Sequence, residues 1–189
     1  MAGRTQTFGD ADRPTIVCED PDSVSDPVLG FFLDYWRRKH RGDAVPLVAD
    51  FIPKEVRRNL RWVVLIDALP DYNDFRYRLV GSSVCEYFLG DGTGRTVRES
   101  FAGIGDLGEG IVALCRRACL LARPIRVTGP SDVVNDIFFP PYDSLYLPYA
   151  TRGEKPDRLV NTFVFNYGAI REKRPYTITG MLTGPSTTQ

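Results

Sequence analysis

Arg61-Trp62-Val63-Val64-Leu65-Ile66-Asp67-Ala68-Leu69, a turn-rich Pro70-Asp71-Tyr72-Asn73-Asp74, and then Phe75-Arg76-Tyr77-Arg78-Leu79-Val80-Gly81 form the stretch on which the fold turns. The first run is apolar at both parities, the pattern of a central strand covered on both faces. In the second, Phe75, Tyr77 and Leu79 alternate with Arg76 and Arg78, a period of two that marks a half-buried strand. Two such runs around a Pro/Asp/Asn cluster read as an antiparallel hairpin, which Gly81 ends. Ser83-x-x-Glu86 is then a capping box that opens a short helix with Val84, Tyr87 and Phe88 inward. Gly90-Asp91-Gly92-Thr93-Gly94 reads as a loop.

Upstream, Asp26-Pro27 is an N-cap followed by proline at the first helical position. Leu29, Phe32, Leu33 and Trp36 then recur at i, i+3, i+4 and i+7, one apolar stripe of a helix. Arg37, Arg38, Lys39 and Arg41 sit where positive charge suits a helix C-terminus, and Gly42 closes it. A shorter helix follows Pro53, with Val56 and Leu60 inward. Downstream, Glu109 to Ala122 is helical, with Ile111, Leu114, Cys115, Ala118 and Ala122 on one face and Arg116 and Arg117 on the other. Pro124 stops that helix and starts a strand through Thr128. A proline-rich loop, in which Ile137-Phe138-Phe139 has no assigned place, leads to a strand near Ser144 to Ala150. Pro148 has no ladder donor, so that strand is expected at an edge or bulged there. The last strand, Arg158 to Tyr167, carries Phe163, Phe165 and Tyr167 on one face. Residues 1–24 read as a disordered tail, 25–170 as one domain and 171–189 as a C-terminal tail.

Lys+Arg and Asp+Glu both number 24 in 189 residues, with 43% hydrophobic and 25% charged residues. Those fractions exclude wholesale disorder, and the neutral balance lacks the basic signature of a nucleic-acid binder. The four cysteines follow no secreted disulfide spacing, the N-terminus has no apolar signal core, and no apolar run is long enough for a bilayer. A soluble protein of a reducing compartment, the cytoplasm, without nucleic-acid or membrane partners, is expected.

The element order is helix, helix, strand, strand, short helix, loop, longer helix, then three strands. It favours an α+β layer architecture with a mostly antiparallel sheet. The order and the residues resemble a PAS-like domain. Phe75-Arg76-Tyr77-Arg78-Leu79-Val80-Gly81, the capped helix and Thr93-Gly94-Arg95 are similar to the second strand, short helix and following step of PAS domains. Tyr35-Trp36, Val45-Pro46, Pro124 and Leu147-Pro148 extend the resemblance to a family of short bacterial single-domain PAS proteins, over roughly residues 28–167. The resemblance implies a five-stranded antiparallel sheet with helices on one face and an N-terminal amphipathic flanking helix. It implies a sensory or interaction module, with no output domain in the chain. Its signal would leave through a signalling protein partner, or through a homodimer formed by the N-terminal helix. PAS-like domains also hold small molecules between sheet and helices, in pockets that are mostly apolar with a few polar anchors. Candidate lining residues are Tyr77, Phe88, Tyr146, Phe163 and Phe165, with Arg78 or Arg126 as an anion anchor. Each also reads as ordinary packing, and strand parity alone does not decide which face looks inward.

Other signals are weaker. Gly103-x-Gly105-x-x-Gly108 spells a dinucleotide fingerprint, the basis of an alternative nucleotide-binding reading. That chemistry requires a buried strand before the loop, and Arg98-Glu99-Ser100-Phe101-Ala102 is not one. Cys85 lies near where light-sensing relatives hold a flavin-reactive cysteine, but its neighbours Val84 and Glu86 break their motif. His40, the only histidine, ends a helix and is poorly placed for haem. Cys115 and Cys119 lack the partners of a zinc site. No cofactor is required. The basic cluster of Arg37, Arg38, Lys39 and Arg41 with Arg57, Arg58 and Arg61 reads as dipole complementation and a solvated face. An enzyme on an α+β fold, the other alternative, has only scattered carboxylates such as Asp67 and Asp136 to offer.

Overall fold

The computed structural model describes residues 6–8, 16–87, 90–129, 132–134, 137–153 and 155–165. In chain order the elements are β1 (Gln6–Phe8), β2 (Ile16–Glu19), α1 (Pro27–Lys39), α2 (Pro53–Val56), β3 (Val63–Ala68), β4 (Phe75–Val80), α3 (Ser82–Tyr87), α4 (Val97–Ser100), α5 (Leu107–Leu121), β5 (Ile125–Gly129), β6 (Asp132–Val134), β7 (Ile137–Phe139), β8 (Tyr142–Tyr149) and β9 (Arg158–Phe165). Every strand pairing is antiparallel. Five strands in the order β5-β8-β9-β3-β4 make the expected sheet, and β1 and β2 extend it beyond β5.

That extension corrects the reading of residues 1–24 as a tail without structure. Val17 pairs with Thr128, Cys18 with Val127 and Glu19 with Arg126. The outer edge of β5 would otherwise present a row of unpaired backbone groups, and β2 satisfies them. Strands of three and four residues in a polar stretch carry too few positions for a period to register. Ile137-Phe138-Phe139 also gains a place, as β7 of a two-stranded ribbon with β6. Tyr167 lies outside the described residues.

Both faces of the sheet are apolar, and alternation along each strand sorts the residues. Val64, Ile66, Ile125, Val127, Tyr146, Leu159, Phe163 and Phe165 share one core with α3, α4 and α5. Val63, Leu145, Leu147, Tyr149 and Val160 share another with α1. We call these the inner and outer faces. The helices α3, α4 and α5 cover the inner face, and α1 lies on the outer one, so the two-sided apolar pattern of β3 has a cover on each side.

Helix α1 forms as its sequence dictates. Asp26 Oδ1 accepts from the Val28 and Leu29 amides at 2.7 and 3.2 Å, with Pro27 in the first turn. Its stripe of Leu29, Phe32, Leu33 and Trp36 is buried on the outer face. Trp36 Nε1 donates to the Pro148 carbonyl at 2.7 Å. β8 is an interior strand rather than an edge, yet its ladder with β5 ends at Tyr146. Pro148 therefore lies past the last β5 partner, where a missing donor costs that ladder nothing.

The hairpin register departs from simple alternation. Leu65 pairs with Leu79, but Ile66 pairs with Tyr77, so a bulge absorbs Arg78. Leu79 is thereby turned away from the inner face, at 40% exposure, and Val80 packs inward. The expectation that Phe75, Tyr77 and Leu79 share one face holds only for the first two. A bulge inserts one residue and inverts the parity beyond it.

Candidate functional site at the inner face of the sheet

The inner face is roofed by α5, and local chemistry holds α5 in place. Thr96 and Glu99 form a reciprocal capping box that starts α4. Gly108, buried in the first turn of α5, faces Phe101 closely enough that an added Cβ would stand 3.4 Å from the Phe101 Cβ. Arg116 Nε on α5 donates to the Tyr72 carbonyl at 3.0 Å, and the Tyr72 hydroxyl donates to the Pro156 carbonyl at 2.6 Å. Tyr72 and Asp71 both have positive φ, a conformation that costs of order 1–3 kcal/mol per non-glycine residue. These hydrogen bonds, with Arg98 bonded to the Asn73 carbonyl, hold the turn in it.

Of the residues expected to line a pocket, Tyr146, Phe163 and Phe165 come together. Tyr146 meets Phe163 edge-on at 6.4 Å, and Phe163 stacks on Phe165 at 6.3 Å. Tyr142, Tyr87 and Trp62 join this aromatic group, at 6.0 Å from Phe163 and at 4.9 and 6.3 Å from Phe165 respectively. Tyr77 sits opposite Ile66 and packs on the inner core. Its phenol is pushed strongly up by desolvation, with Cys115 and Asp74 adding to the effect. Phe88 lies outside the described residues.

The two arginines are not in this group. Arg126 alternates with Ile125 and Val127, which are inward, so it points to the outer face, where it binds Asp143 at 2.7 Å and the Ser23 hydroxyl at 2.7 Å. Arg78, at the bulge, is exposed and bonds Asp67 at 2.9 Å. As anchors for an anion on the inner face both are corrected, since parity sends them the other way and carboxylates already hold them.

Asn161 is the polar residue that the sequence reading missed. It sits mid-strand on β9, between Val64 of β3 and Tyr146 of β8, and is 1% exposed. Its Oδ1 has no hydrogen-bond partner among the described residues, a costly condition for a buried amide oxygen. Its side chain lies close enough to the Cys115 thiol of α5 to lower that thiol's pKa somewhat. Within Arg158-Leu159-Val160-Asn161-Thr162-Phe163 a polar residue at an inward parity was the available signal.

Both thiols of α5 are buried. Burial drives the Cys115 thiol well up against a smaller opposing effect of Asn161, and pushes Cys119 up to about 12. A raised thiol pKa keeps the folded chain protonated while the unfolded chain ionises near ~8.5. Stability from these groups is therefore complete below that value and is lost as pH rises through the alkaline range. Alkylation at pH 8 should leave Cys115 and Cys119 unlabelled until denaturant is added. Labelling of either in the native protein, read by peptide mass, would contradict their burial.

The remaining motifs take ordinary places. Gly103, Gly105 and Gly108 lead into α5, but the element before them is helix α4, so the strand a dinucleotide site requires is missing there. Cys85 is half-buried, its thiol 3.6 Å from the Val80 carbonyl and its pKa raised chiefly by burial. His40 caps α1 and stacks on Trp36 at 4.7 Å, remote from the inner core. Among the basic residues Arg37 pairs with Asp22, Lys39 with Glu55, and Arg61 Nε bonds Ser83. Asp67 is taken up by Arg78 and Arg158, and Asp136 is outside the described residues. No group of three potential metal ligands occurs among the described residues, and no described helix is long and apolar enough to cross a membrane.

An antiparallel sheet with the hairpin β3-β4 at one side, β5-β8-β9 at the other and a helical roof between them makes an α+β fold. The model of the PAS domain family matches residues 25–105, from the cap of α1 to the loop before α5. The strand order around that match is consistent with a PAS-like α+β fold, and the matched segment resembles a domain class that serves sensing and interaction. No curated protein and no solved structure shows significant similarity to the chain.

Proposed function

We propose that this chain is a non-enzymatic, cytoplasmic sensory module that holds a small molecule between the inner face and α5, and signals by contact with another protein. The observation that carries the ligand half is the buried Asn161 Oδ1, an acceptor without a donor in the middle of a largely apolar and aromatic face. A ligand with an N–H or O–H donor and an apolar or aromatic body would satisfy it, with Tyr77, Tyr146 and Phe163 as packing partners. The contact half follows from the PAS-like fold. A partner meeting α1 meets its exposed flank of Asp34, Arg37 and Arg38, because the apolar stripe is spent on the sheet.

Native mass spectrometry of the protein purified from its host tests the ligand half, with a thermal-shift panel of small metabolites beside it. A retained molecule in the wild type that is lost in Asn161→Leu is the expected result. Asn161→Leu without ligand should be as stable as wild type or more so, by about 1 kcal/mol, because it removes an unsatisfied buried acceptor. A clean apo mass together with no shift across the panel would overturn this half.

A further inference from the structure

The roof helix carries a second stripe beside the one that packs on the sheet. Val112, Cys115 and Cys119 turn one side of α5 into the core. Gly110, Ala113, Leu114, Arg117, Leu120 and Leu121 recur at alternating steps of three and four, the spacing of a seam along which one helix receives another. With Arg116 they line a groove of about 440 Å³, and buried Leu114 is its floor. Leu120 is 67% exposed and Leu121 39%, on the side of an amphipathic helix where polar residues belong. The other end is hollow, since a Cβ added at Gly110 meets nothing within 4 Å.

Charge in the groove is of one sign, for the charged residues that line it are Arg116 and Arg117. Arg116 is pinned, its Nε donating to the Tyr72 carbonyl at 3.0 Å. Its two terminal amino groups have no partner among the described residues, and no described carboxylate pairs with it. A guanidinium fixed through Nε presents those two groups as a fork that matches a carboxylate. Holding the fork in place beforehand cuts the entropy lost on pairing. Glu109 on the same helix cannot serve, because Arg98 already engages both of its oxygens. A second copy of α5 would set arginine against arginine at this point, which like charges oppose.

We propose that this groove docks an acidic amphipathic helix of a signalling partner. The partner's large apolar side chains fill the hollow at Gly110 and Ala113 and pack against Leu120 and Leu121, and one of its carboxylates sits on the Arg116 fork. An apolar face laid into an apolar groove supplies the affinity, and the arginine selects the charge. This names a surface and a class of partner for the contact half of the function, and it rests on that reading. A helix of 15 residues is about 22 Å long, too short to bury the ~800 Å² per partner of a standard interface. The contact is accordingly reversible, in the micromolar range, as a signalling contact needs to be.

Fluorescence anisotropy of two synthetic helical peptides against the full chain tests this. Both carry leucines at steps of three and four, one with glutamates flanking them and the other with lysines at the same positions. The acidic peptide is expected to bind in the micromolar range and at least tenfold tighter than the basic one. Leu120→Glu and Gly110→Leu should each weaken it at least tenfold, the first by charging the knob and the second by filling the hollow. Both sites are open to solvent, so both variants should keep the wild-type circular dichroism and thermal transition. Arg116→Gln should narrow the gap between the peptides, and the two groove variants decide the matter if that change unsettles the Tyr72 turn. No binding of the acidic peptide, equal affinity for both, or binding indifferent to Leu120→Glu and Gly110→Leu overturns the proposal. So does a dimer of the chain that Leu120→Glu breaks, which gives the groove to a second copy. A monomer in which Leu120→Cys resists alkylation gives it to another segment of the same chain and overturns the proposal too. Photo-crosslinking residues in place of Asp34 on α1 and of Leu120 keep the two readings apart. A host protein captured through the first and not the second overturns this assignment and leaves the contact half standing.

Discussion

Phe32→Ala is expected to lower the stability of the protein by about 3–5 kcal/mol in urea denaturation, the usual range for emptying a buried phenylalanine site. Phe32 is fully buried at the centre of the outer-face core, edge-on to Phe31 at 5.3 Å and clustered with Leu29, Trp36, Leu145, Leu147 and Val160. A domain has only about 5–15 kcal/mol to lose, so the loss approaches half of it. Phe32→Glu, which buries an unpaired charge, should abolish cooperative folding. The alternative is concrete. If α1 were a detachable flanking helix that offers its stripe to a second copy, Phe32→Ala would cost under about 1 kcal/mol and would shift the oligomeric state instead. The Trp36 hydrogen bond to Pro148 and the full burial of Leu29 argue for the larger figure.

The hairpin and α1 were legible in the sequence because their signals are local and repeated. Four apolar positions spaced around Phe32, with a cap at Asp26, leave little choice of element, and the two-sided apolar run of β3 already announced covers on both faces. What could not be read depended on contacts between distant segments. The bulge at Arg78 is set by pairing with Leu65 and Ile66, and no period within Phe75–Val80 reveals it, so Leu79 was given the wrong face. The inward parity of β5 and β8 is decided by which core claims Val127 and Tyr146, so Arg126 could not be assigned to a side beforehand. β2 is a strand because β5 has a vacant edge, a property of the assembled sheet. Tyr146, Phe163 and Phe165 were candidates through the resemblance to PAS-like domains, whereas Asn161 between them was not, because one polar residue in a strand carries no period of its own.

Gly81→Ala should destabilise the fold by about 3 kcal/mol, although glycine to alanine is among the smallest substitutions available. A Cβ at position 81 would stand 2.4 Å from the Arg61 carbonyl oxygen, 2.6 Å from its carbonyl carbon and 2.7 Å from the Leu60 oxygen. These are backbone atoms, so relief requires moving the turn of 3-10 helix at Arg57–Trp62 away from the end of β4. That movement would break the Gly81 amide's bond to the Val63 carbonyl at 2.8 Å. It would also disturb the first turn of α3, where the Gly81 carbonyl accepts from Val84 and Cys85 at 2.9 and 3.0 Å. Gly110→Ala is the matched control. Its new Cβ meets nothing within 4 Å, and in the middle of a helix alanine is favoured over glycine by about 1 kcal/mol. Identical chemistry should thus move the melting temperature down at one site and up at the other. Equal small effects at both would mean that the 57–62 turn does not press on the strand end, and that Gly81 closes the hairpin through its own conformational freedom rather than through close backbone approach.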